Sequence, residues 1–393
     1  MPMIARNLTP LLLEKATHYP VVTVTGPRQS GKTTLCRALF ADKPYVSLES
    51  PDLRRQALDD PSAFLRRFKD GAVFDEVQHV PDLLSTLQVE VDEDRRHGRF
   101  ILTGSQNFAL GSTVSQSLAG RTGVLDLLPL SYDEVLRFGG ADAGLFQVMV
   151  RGGYPRIHDQ GIPPRIWYDD YLRTYLERDV RQLVNVGSLA AFQQFMRLCA
   201  GRSGQELNLA ELGADAGVSA ATARAWLSVL EASYIVFRLA SWQRNQRKRW
   251  VKAPKLHFLD SGLLCYLLGI QDAAQLETHP LRGAVFETWL AAEVLKWRAQ
   301  RGCHPYLYHL RAIRGPEADL VVDGDANLIL TEAKSGLSLA PDALRRIEFL
   351  AADDAGTAGR PTQARIVYGG DDSYRWRDVD VIGWRDVHTV AWD

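Results

Sequence analysis

The chain is short of cysteine and holds no excess of either charge. Its four cysteines, Cys36, Cys199, Cys265 and Cys303, are scattered over 393 residues with no Cys-x-x-Cys pair. That scatter argues against a disulfide framework and a thiolate zinc site and fits a reducing cytosol, so a cytoplasmic protein is expected. Lys and Arg total 46 against 47 Asp and Glu. A chain so balanced has no overall attraction for nucleic acid, and any such contact has to come from a local patch. Long apolar runs are missing as well. Leu11-Leu12-Leu13 gives way at once to Glu14 and Lys15, which fits neither a signal peptide nor a spanning helix, and no later segment has the length and apolarity to cross a membrane. No internal repeat or low-complexity stretch is visible, and the one run of like charge is Arg244 to Arg249.

What is present is a globular composition, 46% hydrophobic, on a chain long enough for two to three domains. Residues 1–135 alternate short β-type runs with helical stretches, the pattern of an α/β layer with a mainly parallel sheet. The expected strands are Val21–Thr25, Tyr45–Leu48, Ala72–Phe74, Phe100–Thr103 and Val124–Leu128. From about 165 to 240 the periodicity is helical, over Trp167–Leu183, Leu189–Ala200, Leu209–Ala216 and Ala220–Leu230. Beyond Leu256 a second α/β pattern begins: a helix over Phe286–Arg298, strands at Tyr306–His309, Ala318–Val322 and Leu328–Glu332, a helix over Pro341–Ala351 and a strand near Arg365–Tyr368.

The sharpest motif is Gly26-Pro27-Arg28-Gln29-Ser30-Gly31-Lys32-Thr33, followed by Thr34 and lying between a β-branched run and a helical one. A strand, a glycine-bearing loop and a helix N-terminus in that order make a phosphate cradle. Gly31 turns backbone N–H groups inward, Lys32 reaches the β- and γ-phosphate oxygens, and the Thr33 hydroxyl ligates Mg²⁺. A second apolar run ends in Phe74-Asp75-Glu76, which assigns Asp75 to the Mg²⁺ shell and Glu76 to the attacking water as general base. Phe100–Thr103 runs into Gly104-Ser105-Gln106-Asn107, so Ser105 or Asn107 is a γ-phosphate sensor candidate if this strand lies between the other two. Arg121, in Ser117-Leu118-Ala119-Gly120-Arg121, is an arginine-finger candidate directed at a neighbouring subunit, with a solvated surface arginine as the alternative.

These motifs are joined by Val77-Gln78, Pro81, Leu83-Leu84, Leu128-Pro129-Leu130-Ser131, Gly152-Gly153-Tyr154-Pro155, Tyr175-Leu176-Glu177-Arg178-Asp179-Val180 and Asp260-Ser261-Gly262-Leu263-Leu264. Together they resemble the prokaryotic AAA-type ATPases whose C-terminal region combines a winged helix with a restriction-endonuclease-like core of the PD-(D/E)xK type. The resemblance covers nearly the whole chain. It implies ATP as the nucleotide, Mg²⁺ as its partner, and an oligomer with sites shared between subunits. The expected fold is thus α/β: an AAA-type parallel-sheet core over 1–135, a helical connector or lid over 136–187, a winged helix over 188–254 and a restriction-endonuclease-like domain over 255–393.

Within the middle region, Leu209–Ala216 is a helix stopped by Gly217, and Ser219 caps the next helix, the cadence of a helix-turn-helix. Tyr234–Leu239 and a strand near Arg249–Val251 are expected to form a wing with Arg244, Arg247, Lys248 and Arg249 at its tip, placed to meet DNA phosphates. Thr222, Arg224 and Ala225 on the second helix are poor in base-reading side chains, so backbone or shape contact is expected over base readout. The last domain resembles the nuclease signature Asp…Glu-x-Lys with a helical glutamate ahead of it, filled here by Glu287, Asp319, Glu332 and Lys334. Asp319 and Glu332 are then the candidate metal ligands, with Lys334 steadying the nucleophile. Salt-bridged strand ends would give the same letters. Three readings therefore stand: an ATP-driven enzyme acting on DNA, a nucleotide-gated regulatory or interaction switch with a catalytically silent C-terminal domain, and a metal-dependent nuclease gated by ATP.

Overall fold

The computed structural model of the chain describes residues 4–105, 118–139, 143–175, 188–242, 253–311, 317–324, 326–352 and 360–393. Gln106, Asn107, Ser117, most of the Tyr175–Val180 motif and the basic run Arg244 to Arg249 lie outside the described residues. The chain divides into two compact units, one of residues 1–130 with 232–234 and 299–302, the other of 131–231, 235–298 and 303–393.

The first unit is built on five parallel strands: β1 (Val21–Thr25), β2 (Tyr45–Ser47), β3 (Ala72–Asp75), β4 (Phe100–Thr103) and β5 (Thr122–Asp126), in the order β2-β3-β4-β1-β5. A parallel strand covered on both faces needs a nearly continuous apolar run, and β1, β3 and β4 are buried at every residue. Alternate side chains feed two cores. Val22, Val24, Val73 and Ile101 meet Leu12 and Leu35 on one face, while Val21, Phe74, Phe100 and Leu102 meet Leu83 and Leu87 on the other. Phe74 and Phe100 stack at 5.9 Å between centroids, and Phe68 meets the edge of Phe74 at 5.4 Å. At the sheet edge β5 begins at Thr122, two residues ahead of expectation, because Thr122 and Gly123 pair with Val21 and Val22. Most important for the site, β4 is inserted between β1 and β3, so the C-terminal ends of these three strands lie side by side.

The second unit carries eight strands: β6 (Val236–Ser241), β7 (Lys255–Phe258), β8 (Leu307–Arg311), β9 (Glu317–Asp323), β10 (Leu328–Lys334), β11 (Thr362–Tyr368), β12 (Tyr374–Trp376) and β13 (Val379–Gly383). They form a mixed sheet in the order β12-β13-β11-β10-β9-β8-β6-β7, parallel at β6/β8, β10/β11 and β11/β13 and antiparallel elsewhere. β6 pairs with β7 on one side and β8 on the other, the strand expected near Arg249–Val251 lies outside the described residues, and β12 and β13 were not expected from the sequence. Helix Pro341–Ala351 places Leu344, Ile347 and Leu350 on one face of the sheet, and helix Arg282–Gln300 places Phe286, Trp289 and Leu290 in the core on the other.

Helices Leu189–Gly201, Leu209–Asp215 and Ala220–Ala232 precede β6. Asn208 accepts from the N–H groups of Ala210 and Glu211 at the start of the second, Gly217 turns the chain with φ 69°, and Ser219 Oγ accepts from Thr222 N at 3.1 Å to start the third. Trp226 packs edge-on to Phe192 and Phe195 at 5.3 and 5.4 Å. Two motifs that stand far apart in sequence meet here. Buried Asp260 accepts from Tyr168 Oη at 2.6 Å, Gly153 N at 2.7 Å and Leu263 N at 2.8 Å. Gly152 (φ 65°) has no room for a side chain, since a Cβ would stand 2.2 Å from Tyr168 Oη. The Gly152-Gly153-Tyr154 and Asp260-Ser261-Gly262 motifs are thus two halves of one structural knot. Among the described residues no helix is long and apolar enough to cross a membrane.

Candidate phosphate-binding site and carboxylate cluster

The loop after β1 has the conformation its glycines permit. Gly26 (φ 139°) lies so close to Leu127 that a Cβ would come within 2.3 Å of the Leu127 carbonyl oxygen, and Gly31 (φ 96°) opens the helix Lys32–Leu39. Gln29 is also left-handed, at φ 61°. Lys32 is 5% exposed, and its Nζ donates to the loop's own carbonyl oxygens, Gly26 O at 2.9 Å and Pro27 O at 2.7 Å. Burial pushes this ammonium down to about 8, against the pull of Glu76 and Asp75. The buried Ser30 hydroxyl has no hydrogen-bond partner among the described residues. Arg6, which the sequence did not single out, braces the loop from below: Nη1 donates to Ser30 O and Nη2 to Leu128 O, both at 2.8 Å. Thr25, the last residue of β1, is held by Asp126 and by the Tyr234 hydroxyl at 3.0 Å.

Asp75 and Glu76 are brought to this loop by the strand order. Asp75, buried, accepts from Thr33 Oγ1 at 3.0 and 3.1 Å, from Tyr45 Oη at 2.6 Å and from Thr103 Oγ1. Burial first and Asp75 second hold the Tyr45 hydroxyl well above its ordinary range. Glu76 takes the left-handed conformation (φ 59°), which turns it out of the strand, and its Oε2 accepts from Gln78 and from Ser105 Oγ at 3.2 Å. The structure therefore brings Lys32, Thr33, Asp75, Glu76 and Ser105 together and adds Tyr45, Thr103 and Gln78. Arg121 is elsewhere. It precedes β5, at the opposite strand end from Gly26, roughly 16 Å away for a five-residue strand. There it pairs with Asp92 through two contacts of 2.7 Å.

Among the described residues the donor set fits a nucleotide with its metal: a buried ammonium satisfied by two neutral carbonyls, a buried hydroxyl with no partner among them, and a hydroxyl–carboxylate pair, Thr33 and Asp75, of the oxygen chemistry that Mg²⁺ takes.

In the second unit the structure gathers Glu287 on the helix Arg282–Gln300, Asp319 on β9, and Glu332 and Lys334 on β10. Alternation does place Glu332 and Lys334 together, with Lys334 Nζ 2.5 Å from Glu332 Oε1. The sequence missed the centre of the cluster. Lys255, the first residue of β7, sets its Nζ 2.8 Å from Glu287 Oε1 and 3.4 Å from Asp319 Oδ1, while Asp319 Oδ2 accepts from Ala333 N at 2.9 Å. Burial and then Asp319 raise the Glu287 and Glu332 carboxyls above their usual range. Lys255 is held above its own: burial opposes the charged form, and Glu287 and Asp319 outweigh it. His257, on the same side of β7, is fully buried and pushed down to about 3 by burial and then by Lys255. Among the described residues no three carboxylate, imidazole or thiolate groups converge as a ready metal cage.

Comparison with known proteins divides the chain into three. Residues 18–136 match a family described as an AAA domain, residues 142–274 a domain of unknown function (DUF8612), and residues 282–387 another (DUF4143). The chain is 33% identical over 328 residues to the uncharacterized proteins Rv2008c of Mycobacterium tuberculosis and Mb2031c of Mycobacterium bovis, covering 82% of this chain and 72% of each relative. Among solved structures it is similar to the Walker-type ATPase PABY2304 of Pyrococcus abyssi, with a TM-score of 0.47 and 15% identity over 67% of this chain and 96% of that one. It is also similar to a DNA replication initiation factor, with a TM-score of 0.30 and 14% identity over 57% and 86%.

Proposed function

The chain belongs to the same family as the two mycobacterial proteins and carries an AAA domain over residues 18–136, and we propose, from the geometry of that domain, that it binds and hydrolyses ATP and, from the helices and hairpin that follow, that it acts on DNA. The observation that carries the first half is Lys32: a buried ammonium in a left-handed glycine loop, hydrogen-bonded among the described residues only to Gly26 and Pro27 carbonyls, facing Asp75 and Glu76. Lys32, the loop N–H groups and the helix N-terminus hold the phosphates, and Thr33 and Asp75 hold the Mg²⁺. ATP with its Mg²⁺ supplies a phosphoryl group that water can accept. Glu76 takes the water's proton at its carboxylate, and Ser105 and Gln78, which now donate to that carboxylate, set its direction. Arg121 serves a neighbouring copy of the chain, since in its own chain it lies at the far end of the sheet.

Support for the DNA half comes from the helix-turn-helix at 209–232, read as a winged helix with the β6/β7 hairpin as its wing. The connection between those strands carries Arg244, Arg247, Lys248 and Arg249. Positive charge at a wing tip meets phosphates, which yields structure-directed binding without base readout. The β8–β13 region, read as a restriction-endonuclease-like core, would place Asp319 and Glu332 on a metal with Glu287 and Lys334 beside them. Lys255, set between Glu287 and Asp319, favours the second reading, in which this core is catalytically silent and ATP switches binding or assembly.

The test is the ATP hydrolysis rate of the full chain with and without single-stranded, duplex and branched DNA, beside Lys32→Ala and Glu76→Gln. A DNA-stimulated rate abolished by both substitutions is expected. ATP binding with hydrolysis indifferent to every DNA refutes the DNA half and leaves the switch.

A further inference from the structure

The carboxylate cluster of the second unit has a built-in cation at its centre. Glu287, Asp319 and Glu332 contribute three carboxylates, with the exposed Glu317 adding a fourth from the start of β9, and Lys255 and Lys334 contribute two ammonium groups. Lys334 answers Glu332, which leaves Lys255 to answer both Glu287 and Asp319. We propose that the Lys255 ammonium is the resident counter-ion of this cluster, and that Lys255 and a divalent cation exclude one another there. The inference stands apart from the ATPase reading, because it concerns side chains of the second unit alone.

Three observations carry it. The Lys255 backbone is fixed on both sides: it pairs with Leu239 of β6 and forms a bridge with Glu206, while Gly204 N donates to Leu256 O at 2.7 Å and Leu207 N to Pro254 O at 2.8 Å. A side chain delivered from so constrained a strand, 11% exposed, has little freedom to leave its two carboxylates. The wall opposite is close. Gly204 is left-handed (φ 78°), and a Cβ on it would stand 3.4 Å from Glu287 Oε2. Finally, the fully buried His257 Nε2, which has no hydrogen bond among the described residues, lies 3.9 Å from Glu287 Oε1 of the same glutamate. Its Nδ1 is 3.1 Å from Thr288 Oγ1, which is 2.8 Å from Ser203 Oγ. The ammonium thus lies against two carboxylates, with an imidazole nitrogen 3.9 Å from one of them, donor types that suit a borderline dication such as Mn²⁺ or Zn²⁺ once the ammonium is gone and the side chains can close in. With Lys255 in place, a dication would share the same two carboxylates with a positive charge in direct contact with both, at a burial where like charges are poorly screened.

The experiment uses the full chain without nucleotide in an Asp75→Asn background, which removes the carboxylate of the AAA domain, and measures Mn²⁺ binding by electron paramagnetic resonance. The parent chain is expected to show no binding that Glu287→Gln reduces. Lys255→Met, similar in length and uncharged, is expected to bind Mn²⁺ at least about tenfold more tightly, a difference of about 1.4 kcal/mol. Lys255→Arg keeps the charge and is expected to behave as the parent, and Glu287→Gln added to Lys255→Met should abolish the gain. A folded Lys255→Met chain with no gain overturns the proposal. So does a parent chain that binds Mn²⁺ as tightly as Lys255→Met and loses it on Glu287→Gln. Should Lys255→Met fail to fold, the parent and Glu287→Gln decide: equal titrations support the proposal, and a loss in Glu287→Gln overturns it.

Discussion

A buried lysine that gives up its proton near pH 8 makes nucleotide affinity depend on pH in a direction that can be worked out in advance. In the free chain Lys32 is pushed down to about 8, chiefly by burial. Bound phosphates restore the charged form, so binding above about pH 8 takes up a proton. At about pH 7 roughly nine-tenths of the free chains carry the ammonium, and at about pH 9 roughly one-tenth do, which lowers affinity about tenfold across that interval. The assay is calorimetric titration with a non-hydrolysable ATP analogue in two buffers of different ionisation enthalpy, which counts the protons. Ionisation of the analogue's own terminal phosphate is separated from that of Lys32 by titrating Lys32→Met with the same analogue. Lys32→Met should bind weakly and show none of the proton uptake due to the lysine. Equal affinity at both pH values with no uptake in the parent chain would refute the burial argument. Stability gives an independent check with the opposite sign. The native chain loses the Lys32 proton near 8 and the unfolded chain near 10.5, so between those values the unfolded state binds more protons. The nucleotide-free chain should therefore gain stability as pH rises through that interval.

Two further outcomes follow from the packing. Asp260→Ala strands the backbone N–H groups of Gly153 and Leu263 in a buried place and leaves the Tyr168 hydroxyl with the Arg151 carbonyl, 3.1 Å away, and should destabilise the second unit by about 2–5 kcal/mol; a urea transition shifted by less than about 1 kcal/mol would mean the knot is not structural. Gly26→Ala drives a methyl group against the Leu127 carbonyl from a backbone angle that alanine avoids. It should cost about 1–3 kcal/mol and abolish analogue binding, read by thermal melting and by fluorescence of a labelled nucleotide, and wild-type behaviour in both would contradict the close approach seen here.

The loop from Gly26 to Thr33 was legible because all its parts are neighbours in sequence, and the same holds for Asp75-Glu76 and for the helices, whose 3.6-residue periodicity is local. Tyr45 and Thr103 were not legible as partners of Asp75. Their nearness depends on β2 and β4 flanking β3, and strand order is a property of the whole sheet. Arg6 carries no motif; only the fold shows that a residue ahead of the first helix lies under the loop. Lys255 was hidden for a related reason: it opens a short strand that follows the basic connection, and its two carboxylates arrive from β9 and from the helix Arg282–Gln300. The Gly152 and Asp260 motifs were visible as letters, but their mutual packing was not. Where a prediction did miss, at β5, the edge strand holds Gly123 and an exposed Val124, so its apolar alternation starts later than its hydrogen bonding.

The three hydroxyls on Asp75 make that carboxylate a junction. They come from the helix after the loop, from β2 and from β4, three segments whose side chains meet at this one group. A carboxylate offers about four lone-pair directions, and most are already taken. Anything positive that engages Asp75 competes with those hydroxyls, so the filling of one small site is felt in the terminal residues of two strands. Tyr45, with Arg37 lying 4.6 Å over its ring, is thereby a native optical probe: its absorption and emission should change when the junction is occupied, with no label added.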